Sequence, residues 1–223
     1  MFQEAPRDRI EKVYLSESFE QKRGKEMDLS GLPVEALSDK VFSHVSDTKT
    51  PQGILCLVKQ KKVDLSEMLE KTTPFLMVLD NLQDPGNLGT IVRTAEGAGV
   101  TGIIMSRDTV DIYNPKTIRS TMGSVYRMPF FYVEDILEFL EDLRGQGIRT
   151  YAAHLDGANN YDEENYREAC AFLIGNEGNG LRDEVAKKAD IWIKIPMYGQ
   201  VESLNAAIAS SILMYEVSRQ RRK

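Results

Sequence analysis

The run Leu173-Ile174-Gly175-Asn176-Glu177-Gly178-Asn179-Gly180-Leu181 places three glycines around one carboxylate directly after an apolar stretch. Where a buried strand ends in such a loop, backbone N–H and C=O groups can touch a flat ligand such as adenine with no side chain intervening. Glu177 can orient the loop by accepting hydrogen bonds from nearby N–H groups, or it can balance the charge of Arg93; we favour the orienting role. Arg93 belongs to a second segment of the same character, Leu79-Asp80-Asn81-Leu82-Gln83-Asp84-Pro85-Gly86-Asn87-Leu88-Gly89-Thr90-Ile91-Val92-Arg93-Thr94-Ala95. Asp84-Pro85-Gly86-Asn87 has the chemistry of a turn, because Pro fixes one backbone angle while Gly and Asn tolerate left-handed ones. Asn87 can cap the helix that follows, and Arg93 then falls about a turn and a half along it. A guanidinium behind a loop at a strand's carboxyl end can reach a phosphate or another anion. The third segment, Ile195-Pro196-Met197-Tyr198-Gly199-Gln200-Val201-Glu202-Ser203-Leu204-Asn205-Ala206-Ala207, ends at a helix start for which Ser203 is a good N-cap. Plain structural readings exist for the outer two: a strand-turn-helix connection for the first, a helix cap and core helix for the third.

The surrounding pattern says what must hold these residues. Apolar runs predict strands over 75–80, 102–105, 149–153, 171–175 and 191–195, and helical spacing predicts helices over 88–97, 115–121, 133–143, 181–186 and 203–219. Strands alternating with helices imply an α/β fold with a mostly parallel sheet covered on both faces. The first 58 residues read as shorter α/β pieces: a strand over 12–16, a polar helix over 17–25, Ser38 capping a helix over 39–45, and a strand over 53–58. The charged run Lys59-Gln60-Lys61-Lys62-Val63-Asp64 then reads as a linker, so two domains are expected, 1–70 and 71–223. Gly97, Gly99 and Gly102 match Gly-x-Gly-x-x-Gly, but a dinucleotide fingerprint must follow a strand and open a helix. These glycines close a helix instead.

Composition bounds the partners. The formal charge of −6 gives no overall attraction to nucleic acid, so contact with RNA must come from local patches such as Arg219, Arg221, Arg222 and Lys223. Cys56 and Cys170 sit in separate apolar runs, which suits buried free thiols in a reducing cytoplasm better than a disulfide. His44 and His154 stand alone, without ligands at metal-binding spacing, so no metal is expected. No apolar stretch approaches the ~20 residues of a membrane span, and the N-terminus lacks the pattern of a signal peptide.

Together, in this order and spacing, the three segments resemble the motifs of the SpoU (TrmH-like) branch of the SPOUT methyltransferases, over residues from about 73 to 220. Lys116-Thr117-Ile118-Arg119-Ser120-Thr121-Met122-Gly123-Ser124 resembles the family's Lys-x-Ser-x-Gly-Ala-like connection, with Ser124 where Ala is common. The resemblance implies a SPOUT fold whose C-terminal part is threaded into a trefoil knot, S-adenosylmethionine as cofactor, and a ribose 2′-O-methyl group in RNA as product. It places cofactor contacts on Gly175, Asn176, Gly178, Ile195, Met197, Ser203 and Leu204. It places the catalytic arginine, the glutamate and the two asparagines on Arg93, Glu177, Asn87 and Asn205. A homodimer is implied, with RNA-facing groups of one subunit completing the other's site. The N-terminal part resembles the ribosomal-protein-like RNA-binding domain of longer family members, of which Met1-Phe2-Gln3-Glu4-Ala5 looks like the second half of the first helix; the first strand is therefore expected to be missing. That domain favours ribosomal RNA over tRNA. A catalytically inactive RNA-binding or assembly protein of the same fold is the alternative of a different class, against which the intact Arg93, Glu177 and Asn205 argue. A small-molecule methyltransferase would need a glycine-rich loop after its first strand, which this sequence lacks.

Overall fold

The computed structural model describes residues 2–46, 48–61 and 63–222. Met1, Lys62 of the charged run and Lys223 of the basic tail lie outside the described residues. The chain forms two compact units, 1–62 and 63–223.

The first unit contains β1 (Ile10–Ser16), α1 (Glu17–Arg23), β2 (Val34–Leu37), α2 (Asp39–Val45) and β3 (Ile54–Val58). Its sheet has the order β2-β1-β3, with β1 parallel to β2 and antiparallel to β3. Alternation along β1 buries Val13 and Leu15, and α2 adds Phe42. Ser16 and Ser38 cap the two helices by accepting from Phe19 N and Val41 N.

The second unit runs α3 (Leu65–Leu69), β4 (Phe75–Leu79), α4 (Pro85–Ala98), β5 (Gly102–Ser106), α5 (Pro115–Thr121), β6 (Phe130–Val133), α6 (Ile136–Gly145), β7 (Arg149–Ala153), β8 (Asn159–Asn160), β9 (Cys170–Ile174), α7 (Asp183–Ala186), β10 (Ile191–Lys194) and α8 (Ala206–Arg221). The seven strands pair in parallel throughout, in the order β6-β5-β4-β9-β7-β10-β8. Every residue of β4, β5 and β9 is buried, as a parallel strand covered on both faces requires. Phe75, Met77 and Leu79 face a core shared with α4 and α8, while Leu76 and Val78 face α6 and α7. The chain first steps outward from β4 through β5 to β6. It then crosses over, and β9 later enters between β4 and β7. This reversal creates a switch point at β4 and β9, where a parallel sheet offers a crevice at its carboxyl ends.

Several boundaries differ from the sequence expectations. The division falls at 62/63 rather than near 70, because Asp64 caps α3, which buries Met68 against the second unit's core. The helix expected from 133 starts later, at Ile136: Val133 ends β6, and Asp135 caps α6 by accepting from Leu137 N and Glu138 N. α4 begins at Pro85 with Asp84 as its N-cap, so Asn87 is its third residue and not a cap. α8 begins at Ala206 with Asn205 as its N-cap, which displaces Ser203 from that role. Gly99 closes α4 in the left-handed conformation at φ 81°, as a helix-stop glycine does. Both cysteines are free; burial pushes the Cys56 thiol up to about 11 and the Cys170 thiol to about 12. Among the described residues no helix is long and apolar enough to cross a membrane.

Candidate active site

The three segments meet at the carboxyl ends of β4, β9 and β10 through one chain of hydrogen bonds. Glu177, from the loop after β9, accepts from the backbone N–H of Gln83 (3.0 Å) and Asp84 (2.9 Å) and from Asn87 Nδ2 (2.9 Å). Asn87 Oδ1 in turn accepts from Asn205 Nδ2 at 3.0 Å. Asn205 uses its remaining atom, Oδ1, to cap α8 through Ala207 N and Ile208 N. Each side chain thus does two jobs, and loss of any one uncouples two segments. Burial pushes the Glu177 carboxyl up, but the hydrogen bonds from Asn87, Gln83 and Asp84 outweigh it and leave it below its ordinary range. Glu177 orients the turn after β4, and among the described residues no ion pair joins it to Arg93.

The 175–180 loop is shaped from within. Asn176 and Gly180 exchange both backbone hydrogen bonds at 2.9 Å, and Asn176 Oδ1 accepts from Gly178 N and Asn179 N. An added Cβ at Gly175 would overlap the backbone of Gly180 and Leu181, so glycine there permits the close return of the chain. At Gly178 the same Cβ would meet only Asn176 Oδ1 at 3.5 Å and otherwise open space. That glycine is exposed, and what its bareness leaves accessible is backbone.

From the third segment, Ile195, Met197 and Leu204 are half-buried and Ser203 is exposed. Among the described residues, 196–203 make no hydrogen bond, so eight residues of backbone keep their polar groups available beside these apolar side chains. Free amides and carbonyls flanked by thioether and aliphatic groups suit a ligand with a flat heteroaromatic base and an apolar sulfur-bearing tail. The donor set therefore fits S-adenosylmethionine. Tyr198 at the tip of this segment is 97% exposed.

Arg93 is exposed on α4 and, among the described residues, makes no hydrogen bond or ion pair. The structure places it on the helix that the Glu177–Asn87 contact anchors. Asp84 Oδ2 accepts from Lys116 Nζ at 3.0 Å, which ties α5 to the same turn; the Asn87 amide and Lys116 together hold the Asp84 carboxyl below its ordinary range. Two arginines of the basic tail are engaged within the protein, while Arg222 is exposed. Arg219 is paired with Glu216, and Arg221 donates inward to the carbonyls of Tyr166, Thr73 and Glu168 while lying over the Phe75 ring.

Comparison with known proteins agrees with this geometry. Residues 74–215 match the SpoU rRNA Methylase family. The chain belongs to that family. Among relatives, it is 35% identical over 188 residues to the 23S rRNA (guanosine(2553)-2′-O)-methyltransferase RlmP of Bacillus subtilis, covering 84% of this chain and 73% of that one. It is 32% identical over 197 residues to the 23S rRNA (guanosine-2′-O-)-methyltransferase RlmB of Shewanella oneidensis, covering 86% and 80%. An AdoMet-bound rRNA methyltransferase from Sinorhizobium meliloti superimposes with a TM-score of 0.82 at 31% identity, covering 96% and 82%.

Sequence reasoning found the SpoU segments but missed Asp80, Asn81 and Arg182, which also meet at this site. Asp80 and Arg182 are 102 positions apart, so no local pattern could pair them.

Proposed function

We propose that this SpoU family member is an S-adenosylmethionine-dependent RNA 2′-O-ribose methyltransferase acting on ribosomal RNA. The observation that carries the reading is the Glu177–Asn87–Asn205 chain, which joins the three segments around the switch point. The rRNA 2′-O-methyltransferases among its relatives support the substrate class.

Bound S-adenosylmethionine supplies an electrophilic methyl group to the ribose 2′ oxygen. The chain holds it through the backbone of Gly175, Asn176, Gly178, Ile195, Met197, Ser203 and Leu204. Because methyl transfer needs an in-line approach, fixing these loops relative to one another supplies much of the acceleration. A guanidinium stays protonated at neutral pH and cannot serve as a base. Arg93 therefore acts as a cation that stabilises the developing alkoxide and grips the neighbouring phosphate, and the proton leaves to water or phosphate. Glu177, Asn87 and Asn205 keep the helix that carries Arg93 in register with the cofactor loops.

The reading extends to the whole chain. The first unit, through residue 62, binds RNA. The C-terminal part is threaded through a loop, supported by the return of α8 onto α4 and of Arg221 onto Thr73. The protein works as a homodimer, for which exposed Ile208 and Tyr215 on α8 supply apolar surface, and in the cytoplasm, which suits two free thiols.

The test is transfer of labelled methyl groups to ribosomal RNA and tRNA stripped of modification, with the 2′-O-methyl site mapped. Labelling of ribosomal RNA is expected. Labelling of tRNA alone would overturn the substrate class, and cofactor binding without any transfer would overturn the activity.

A further inference from the structure

Asp80 is the first residue beyond β4, and its side chain is 0% exposed. A carboxylate in that position must be fully partnered. Its partner is Arg182, whose Nε lies 3.1 Å from both oxygens, whose Nη2 lies 2.6 Å from Oδ1, and whose backbone N–H reaches Oδ2 at 3.4 Å. Arg182 follows Leu181, where the 175–180 loop returns to the core, and keeps an extended backbone (φ −60°, ψ 138°) before α7 begins. The next residue along from Asp80, Asn81, adopts a left-handed φ of 57°. That conformation lets Asn81 donate its N–H to Ser106 Oγ (2.8 Å) while its carbonyl accepts from Asn176 Nδ2 (2.9 Å). Two successive residues at the end of β4 thus grip the loop at both ends: Asn81 at its entry, Asp80 at its exit.

We propose that Asp80 and Arg182 are a positioning pair for the cofactor, fixing the far end of the 175–180 loop so that its bare backbone is presented in the binding geometry. The proposal rests on the reading of that loop as part of the cofactor site. A buried ion pair is a poor device for stability, since packed apolar side chains of similar volume do as well or better. What the pair provides is geometry: two-pronged contact between guanidinium and carboxylate sets distance and angle together, which a lysine point charge cannot do. It also sits where geometry matters, between the strand that leads into the Asp84–Asn87 turn and the loop from which Glu177 reaches that turn. Arg182 has its own route to solvent at 40% side-chain exposure, and its outer nitrogen meets Glu184 at 3.4 Å, so only its inner edge is committed to Asp80.

The experiment uses the full chain carrying Arg182→Lys, the neutral double variant Asp80→Asn/Arg182→Gln, and Gly178→Val. Cofactor affinity is read by calorimetry, KM for S-adenosylmethionine and kcat from methyl transfer at saturating cofactor, folding from thermal melts, and loop order from amide exchange at Gly178 and Asn179. For Arg182→Lys and the double variant we expect a near-normal melt, a KM and Kd raised about tenfold, kcat within about twofold, and faster exchange at both amides. A pair that is merely structural would lower the melt and leave KM and exchange in the folded protein unchanged. Wild-type KM and exchange in a folded variant overturns the proposal, and so does failure of both variants to fold. If only one folds, its KM and exchange decide. Gly178→Val tests the underlying reading separately, since its Cβ meets only Asn176 Oδ1, at ordinary contact distance, and touches neither Asp80 nor Arg182. Undiminished affinity there removes the loop from the cofactor site, whereas lost affinity with normal KM in the Arg182 variants overturns the positioning role alone.

Discussion

Arg93 is exposed and unengaged among the described residues, so its removal costs the fold little and any large effect must be chemical. Arg93→Ala should keep its melting temperature and cofactor affinity while single-turnover methylation falls by about 10²-fold or more, the scale of losing one electrostatic stabiliser. Arg93→Lys retains charge without the planar fork and should recover part of the rate. Full activity in a folded alanine variant would remove Arg93 from the chemistry. Glu177 makes the opposite case, because its surroundings are fully specified. Its carboxyl is held below the ordinary value of 4.5, so its contribution is complete above that value and is lost only as pH falls through the lower folded one. Cofactor affinity should therefore stay flat from about pH 8 to pH 5 and fall only under more acid conditions. Glu177→Gln, which replaces one acceptor oxygen with a donor, should weaken binding at every pH; a midpoint near pH 6 in the wild-type protein would contradict the assignment. At this scale the residue types and their order put Arg93 and Glu177 in view, while Asn205 entered only through the resemblance to the SpoU motifs. The sequence hid Asp80, because a single carboxylate before a polar turn looks like any other, and its partner lies in another segment.

At the scale of elements, the fully buried strands were legible and the edges were not. β4, β5 and β9 announce themselves as unbroken apolar runs bounded by loops. β6 goes unread because Phe130-Phe131-Tyr132 is a short run beside the helical spacing of α6, which takes in Val133; only the Asp135 cap separates the two elements. β2 and β8 are short or exposed and carry no alternation strong enough to read. The helix starts were misplaced for a related reason: Ser203 and Asn205 are both good caps, and tertiary contact chooses between them. Asn205 wins because its amide can also donate to Asn87, which a serine hydroxyl two residues earlier does not do. Two substitutions separate these jobs. Asn205→Ala should cost about 1 kcal/mol of stability by removing the cap. Asn205→Asp should keep the cap and the melt, yet lower activity, because it places an acceptor against Asn87 Oδ1 where a donor stood. Equal activity in Asn205→Asp and wild type would show that the contact between the first and third segments is dispensable.

At the scale of the molecule, RNA must be bound by an acidic chain of formal charge −6. Local phosphate contacts have to overcome that charge, and the structure narrows which cations are free to make them. Arg219 is neutralised by Glu216, and Arg221 is spent on three backbone carbonyls. With about three phosphates engaged on single-stranded RNA, the slope of log K against log salt is near −2, so affinity should fall roughly tenfold or more between about 50 and 200 mM salt. Arg221→Ala should leave that slope unchanged in the folded protein while lowering the melting temperature, since charged hydrogen bonds to the carbonyls flanking β4 and β9 are lost; about 2 kcal/mol or more is at stake. Arg222→Ala, at the exposed end of the same helix, should leave the melt alone and reduce the slope by about 0.7 if that residue touches a phosphate. Filter binding across a salt series, run beside thermal melts, separates the two. A flat salt dependence in the wild-type protein would exclude a polyanionic substrate, and a slope that drops with Arg221→Ala would return that residue to the RNA surface.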